Sequence, residues 1–172
     1  MTRAARSHAL HAAESLKPIY VDPGNVALFT LENVAIMVWF AQPSAASVER
    51  LDRHLASLRA VRDPALTMVH VIKSPLRLPD EASRAAMLHV TKEHNVSLVV
   101  MVVSESGFML SMMRSVITGL RVLTAGRFDY RVEASVDNVA AWLPKQHLAK
   151  TGVEIDSERL LHALHSADQL AP

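Results

Sequence analysis

Short runs of β-branched and other apolar residues alternate with longer amphipathic segments along most of this chain. The apolar runs cover residues 26–30, 34–40, 66–72, 96–103 and 130–134. Runs of this length indicate strands, whereas apolar positions three and four apart between them indicate helices. The resulting order, β-β-α-β-α-β-α-β-α, predicts an α/β domain with a mostly parallel sheet, because helical crossovers join parallel strands.

The first two runs are expected to pair as an antiparallel β-hairpin that opens the sheet. Only Leu31, Glu32 and Asn33 separate them, and Asn33 is able to take the positive φ that tight turns use. The second run is apolar on both faces, which is typical of an interior strand covered on two sides.

Capping residues and helix breakers predict where the helices begin and end. The predicted N-caps are Ser44, Asp80 and Ser135, and the corresponding ends are Asp63, about His94, and Leu143 with Pro144 after it. A long helix is predicted over 107–124, and an amphipathic helix over 156–167. These limits divide the chain into an Ala-rich N-terminal arm (1–22), an α/β domain (23–146) and a C-terminal helical extension (147–172).

Composition excludes several classes of protein. The 172 residues include no cysteine, which rules out disulfides and cysteine-ligated metal clusters. The formal net charge is +1, whereas a duplex-DNA binder normally has a strong basic excess. No apolar stretch is long enough to span a bilayer, and no apolar signal core follows Arg3 and Arg6. We therefore expect a cytoplasmic protein with neither nucleic acid nor a membrane span among its interactions.

The sequence has none of the common catalytic or cofactor-binding motifs. A phosphate-binding loop, a dinucleotide fingerprint and a nucleophile elbow are all missing, and only five glycines are present. We therefore predict no catalytic residue and no cofactor.

Three segments give the chain a resemblance to a known family. They are the opening hairpin, the turn 104–107 with the helix that contains 114–120, and the closing segment 135–143 with its Trp-Leu pair. Over about 26–145, the order of elements resembles the STAS fold of bacterial anti-sigma-factor antagonists such as the SpoIIAA-like proteins. The resemblance implies a STAS-like mixed, mostly parallel sheet opened by a hairpin, a regulatory role and a protein partner.

The chain departs from this family where phosphorylation is expected. STAS antagonists usually carry an Asp-Ser-Ser/Thr-Gly turn after the third strand, in which a serine is phosphorylated. Here the region 73–84 is longer and has no glycine. Ser83 is a candidate phosphorylation site, because a phosphate in the first turn of a helix meets free backbone amides. The alternative is an ordinary exposed serine in that turn.

Nine histidines raise the question of metal binding or acid–base chemistry. Glu158, His162 and His165 lie on one face of the last predicted helix, at a spacing that can seat two or three ligands. No second motif supplies a fourth ligand, so a His-rich polar face is the alternative and we predict no metal site. His70 alternates with Met68 and Ile72 along one strand face, which favours a hydrogen-bonded core residue over a catalytic base.

The predicted helix 107–124 carries more apolar surface than a helix resting on one sheet needs. Its candidate interaction residues are Phe108, Met109, Met112, Met113, Arg114 and Arg121. The methionines suit an adaptable contact surface, and the arginines suit an acidic partner. We therefore predict a protein-interaction or regulatory module that forms a homo-oligomer or docks to a regulator. The alternatives are packing within the same domain and a small apolar ligand held between this helix and the sheet.

Overall fold

A computed structural model of the chain describes residues 17–61, 65–73, 80–103 and 128–172. The strands are β1 (Tyr20–Asp22), β2 (Val26–Leu31), β3 (Val34–Trp39), β4 (Leu66–Ile72), β5 (Val96–Val103) and β6 (Asp129–Glu133). The helices within these ranges are α1 (Ala45–Val61), α2 (Glu81–Glu93), α3 (Val136–Thr151) and α4 (Ser157–Gln169). The predicted helix over 107–124 lies outside the described residues.

The strands form one mixed sheet whose spatial order follows the chain, β1-β2-β3-β4-β5-β6. The pairs β1–β2 and β2–β3 are antiparallel, and the three pairs from β3 to β6 are parallel. This arrangement confirms the predicted α/β class and the antiparallel pairing of β2 with β3, whereas β1, and not this hairpin, opens the mixed sheet.

The turn between β2 and β3 differs from the prediction. β2 extends through Leu31, so the link has two residues, and the positive φ of 46° falls on Glu32 and not on Asn33. Asn33 is buried, and its carbonyl accepts a hydrogen bond from the Thr67 amide at 3.0 Å. Asn33 therefore contacts β4, and Glu32 is the residue whose backbone conformation reverses the chain.

β1 is a further strand within the predicted N-terminal arm, and it pairs with β2. Its Tyr20 ring stacks on His54 of α1 with 4.1 Å between ring centroids. Its Asp22 carboxylate accepts a hydrogen bond from Arg50, also on α1, at 2.6 Å. The last residues of the segment predicted as the arm, Tyr20–Asp22, therefore belong to the sheet.

Helices cover both faces of the sheet and create two cores. Side chains alternate along a strand. Ile36 and Val69 therefore face α3 and α4, whereas Met37 and Met68 face α1 and α2. β3 is buried along its whole length, which confirms the prediction of an interior strand.

α3 continues past Pro144, although the sequence predicted its end at Leu143. The buried residues of this helix are Val136, Val139, Leu143 and His147. They keep helical spacing on both sides of the proline, so packing against the sheet maintains the helix although Pro144 cannot donate a backbone hydrogen bond. Gly152, with φ of 73°, caps the end.

α4 packs beside α3 and belongs to the same core. Its fully buried residues are Leu160, Ala163, Leu164 and Ala167. Lys73 binds Asp168 at 2.6 Å, which ties the end of α4 to the residue after β4. α3 thus continues across the predicted boundary between residues 146 and 147, and α4 packs in the core that α3 also covers.

Candidate functional site

The predicted interaction surface cannot be located on the described part of the chain. Phe108, Met109, Met112, Met113, Arg114 and Arg121 all lie outside the described residues. Their role stays a prediction.

Ser83 is buried at the start of α2, where the alternative interpretation expected an exposed serine. Its amide donates a hydrogen bond to Asp80 Oδ1 at 2.7 Å, and Asp80 is the N-cap, as predicted. Hydrogen bonds from Ser83 lower the pKa of the Asp80 carboxyl, so an anion already occupies the helix N-terminus. Phosphorylation of Ser83 stays a prediction, and it requires the first turn of α2 to open.

The polar face of α4 does not form a cluster of metal ligands. His165 Nε2 lies 2.8 Å from Asp137 Oδ1 at the start of α3, and Glu158 and His162 are exposed. Among the described residues, no three histidine or carboxylate side chains are grouped closely enough to hold a metal ion.

His70 is an almost fully buried histidine near the carboxyl end of β4. Its Nδ1 accepts a hydrogen bond from Trp39 Nε1 at 3.0 Å. An indole N–H can only donate, so the proton of the neutral imidazole must reside on Nε2. Burial lowers the pKa of His70 to about 4. The interpretation of His70 as a hydrogen-bonded core residue is confirmed, and Trp39 is its partner.

His147 is a second buried histidine, which the sequence analysis missed. Its Nδ1 lies 2.8 Å from Thr67 Oγ1 of β4, and its Nε2 is buried without a hydrogen-bond partner in the described structure. Burial lowers the pKa of His147 to about 4. The sequence feature that could have identified His147 is its position four residues after Leu143. Because α3 continues past Pro144, this spacing places His147 on the buried face of the helix.

A shallow groove with a volume of about 250 Å³ lies between α1 and α2. Val48, Val90 and two alanines of α2 form its apolar part, and Glu49 and Asp52 contribute carboxylates. Asp52 Oδ1 lies 2.6 Å from Nε2 of the buried His94, which ties α1 to the end of α2. The groove combines an apolar lining with negative charge.

An apolar strand edge is a second exposed feature. Ile19 and Val21 have exposed fractions of 49% and 48%, and Leu148 on α3 has 47%. Within the described ranges β1 has a neighbour on one side only, which is β2. The other side of such a strand offers unpaired backbone groups.

No protein-family model, no curated protein and no solved structure matches this chain. The groove, the strand edge and the two buried histidines are therefore the observations that bear on function.

In the described ranges, no helix has the length and hydropathy needed to cross a bilayer.

Proposed function

We propose that this chain is a non-enzymatic, STAS-like regulatory module of the cytoplasm, which self-associates and docks to a protein partner. The observation that carries the proposal is the edge strand β1. Val21 in this strand and Ile19 just before it are each about half exposed. Apolar side chains next to unpaired backbone groups favour pairing with a further strand. We propose that this strand belongs to a second copy of the chain.

The geometry of β1 suits such a pairing. In an antiparallel pair with a two-fold axis at Tyr20, Val21 of one copy would lie opposite Ile19 of the other. Tyr20 and Asp22 are held on the α1 side of the strand, so they leave this contact open. β1 has only three residues, so we expect a buried area below roughly 1,200 Å², the lower end for standard interfaces, and a weak, concentration-dependent dimer.

Among the described strands, the opposite edge of the sheet is β6, which is less suited to strand pairing. The Arg131 guanidinium of β6 lies 4.2 Å from the centroid of the Trp142 ring. Trp142 Nε1 donates to Glu133 Oε1, also on β6, at 3.0 Å. Charged side chains on an edge strand oppose pairing with another chain, which favours β1 as the contact.

The buried histidines support a binding role over acid–base catalysis. The indole N–H of Trp39 donates a hydrogen bond to Nδ1 of His70. Thr67 Oγ1 is hydrogen-bonded with Nδ1 of His147. Burial lowers the pKa of both histidines to about 4. A general base is most effective when its pKa is near the working pH, so neither ring is tuned for catalysis at neutral pH.

Native mass spectrometry and light scattering of the full chain over a concentration series test the proposal. We expect a dimer that increases with concentration and carries no additional mass. Val21→Lys should shift the equilibrium to monomer, because it places a charge in the contact. Leu148→Lys is the matched control, because Leu148 is equally exposed but lies on α3. A monomer at every concentration, equal effects of the two variants, or a bound metal would each contradict the proposal.

A second candidate function is the binding of a small apolar ligand between the segment 107–124 and the sheet. Met101 and Tyr130 are only partly buried, and both pack against the core on the α1 side of the sheet. Burial raises the pKa of Tyr130 to about 12, so its phenol is neutral. A monomer that carries a co-purified mass of lipid size in native mass spectrometry would favour this function.

A further inference from the structure

We infer that the groove between α1 and α2 binds a lysine or arginine side chain presented by a helix of a regulatory partner. The inference rests on the proposed interaction function, and it specifies the chemistry of the partner. It concerns a different surface from the β1 edge, so the two surfaces can be tested separately.

The lining of the groove suits a single side chain. Its volume of about 250 Å³ is below the roughly 300–1,000 Å³ of most small-molecule pockets. Ala85 and Ala86 of α2 supply the accessible apolar surface for an aliphatic stem and allow a close approach of the partner helix, and Val48 and Val90 form the buried floor beneath them. Amphipathic helices commonly bind in grooves of this kind.

The charge of the groove selects a cation. Among the described residues, Glu49, Asp52 and His89 are its polar lining, and that lining includes no lysine or arginine. Glu49 is exposed, and no ion pair joins it to another residue in the described part of the chain. Asp52 shares one carboxylate oxygen with His94. A phosphorylated peptide, a nucleic acid or an anionic membrane would be repelled by these carboxylates.

Lysine and arginine combine the two properties that the groove requires. Their aliphatic stems cover apolar surface while their charged ends stay at the water boundary. A stem that lies on Ala85 and Ala86 would therefore bring the cation to the rim of the groove, where the exposed Glu49 lies. A neutral apolar side chain would leave that carboxylate without a partner.

The test uses n-butylguanidinium as a mimic of the arginine side chain and N-butylurea as its neutral isostere. Amide signals of the full ¹⁵N-labelled chain are followed during titration with each probe at low salt. We expect saturable shifts at Ala85, Ala86 and His89, and tighter binding of the cation. Glu49→Gln should weaken binding of the cation about two- to fivefold, which is the usual effect of an exposed ion pair, and leave butylurea binding unchanged.

Glu93→Gln is the matched control, because Glu93 is an exposed carboxylate at the end of α2 and does not line the groove. It should leave both affinities unchanged. Equal affinities of the two probes for the native chain would overturn the inference, as would no saturable shift at Ala85 and Ala86. If neither probe binds but Val21→Lys dissolves a dimer, only the groove inference fails. If the cation binds as expected in a chain that is always monomeric, only self-association through β1 fails.

Discussion

His70 of β4 and His147 of α3 lie on opposite faces of the sheet, and each is hydrogen-bonded through its Nδ1. His70 accepts a hydrogen bond from Trp39 Nε1 at 3.0 Å, and His147 Nδ1 lies 2.8 Å from Thr67 Oγ1. Burial lowers the pKa of each from 6.5 to about 4. At neutral pH, both rings are uncharged parts of the two cores.

The free energy of unfolding should fall when the pH is lowered from about 6.5 to about 4. Unfolding restores the ordinary pKa of both histidines, so in this interval the unfolded chain binds protons that the folded chain does not. The loss for each histidine is at most about 3.5 kcal/mol, at about 1.4 kcal/mol for each unit of pKa difference. Urea unfolding at a series of pH values measures it.

Single substitutions separate the histidines from other acid-sensitive groups. The pKa values of Asp22 and Asp80 are lowered from 3.8, so their contributions are lost mainly below this interval. His147→Leu should reduce the dependence on pH between 6.5 and 4, and His89→Leu, at an exposed position, should not change it. A constant free energy of unfolding across the interval would contradict the prediction.

Trp39→Phe should destabilise the fold by about 1–3 kcal/mol, because it leaves His70 Nδ1 buried without its donor. It should also raise the pKa of His70, since the lost hydrogen bond stabilised the neutral ring. Proton NMR of the His70 ring and urea unfolding measure the two effects. Trp142→Phe is the control, because that indole donates to Glu133 instead. An unchanged pKa of His70 in Trp39→Phe would show that the indole does not set its protonation.

Local sequence patterns were sufficient to predict most of the sheet. β4 and β5 match the predicted ranges 66–72 and 96–103, because each is a mainly apolar run rich in β-branched residues. α2 begins after the predicted N-cap Asp80 and is capped by His94 at its end. β1 was missed because it has three residues and takes its stability from pairing with β2 and from contacts with α1, which no short window of sequence contains.

The site was harder to predict because its residues come from distant parts of the chain. The groove joins Glu49 of α1 to Ala85 of α2, and neither helix alone shows that a space lies between them. The sequence does not reveal His147 as a core residue, because Pro144 predicts the end of the helix at Leu143. Tertiary packing of Leu143 and His147 outweighs the local effect of the proline, which a rule for isolated helices does not include.

Thr67→Val should destabilise the fold by about 1–3 kcal/mol, because His147 would then have two buried nitrogens and no hydrogen-bond partner. Adding His147→Leu should recover much of this loss, since removing both partners of a buried pair is often nearly neutral. Urea unfolding of both single variants and the double variant gives the coupling between the residues. Additive effects would show that the contact between Thr67 and His147 contributes nothing to stability.

Leu164→Ala should destabilise the whole domain by about 2–5 kcal/mol, because Leu164 of α4 is fully buried in the core beneath α3 and α4. Leu161→Ala is the control on the same helix, since Leu161 is only partly buried and should cost less. Urea unfolding followed separately by far-UV circular dichroism and by fluorescence of Trp39 and Trp142 measures the effect. Because α4 completes this core, both signals should shift together to lower urea. A shift confined to the circular dichroism signal would show that α4 unfolds on its own, as the predicted separate extension would.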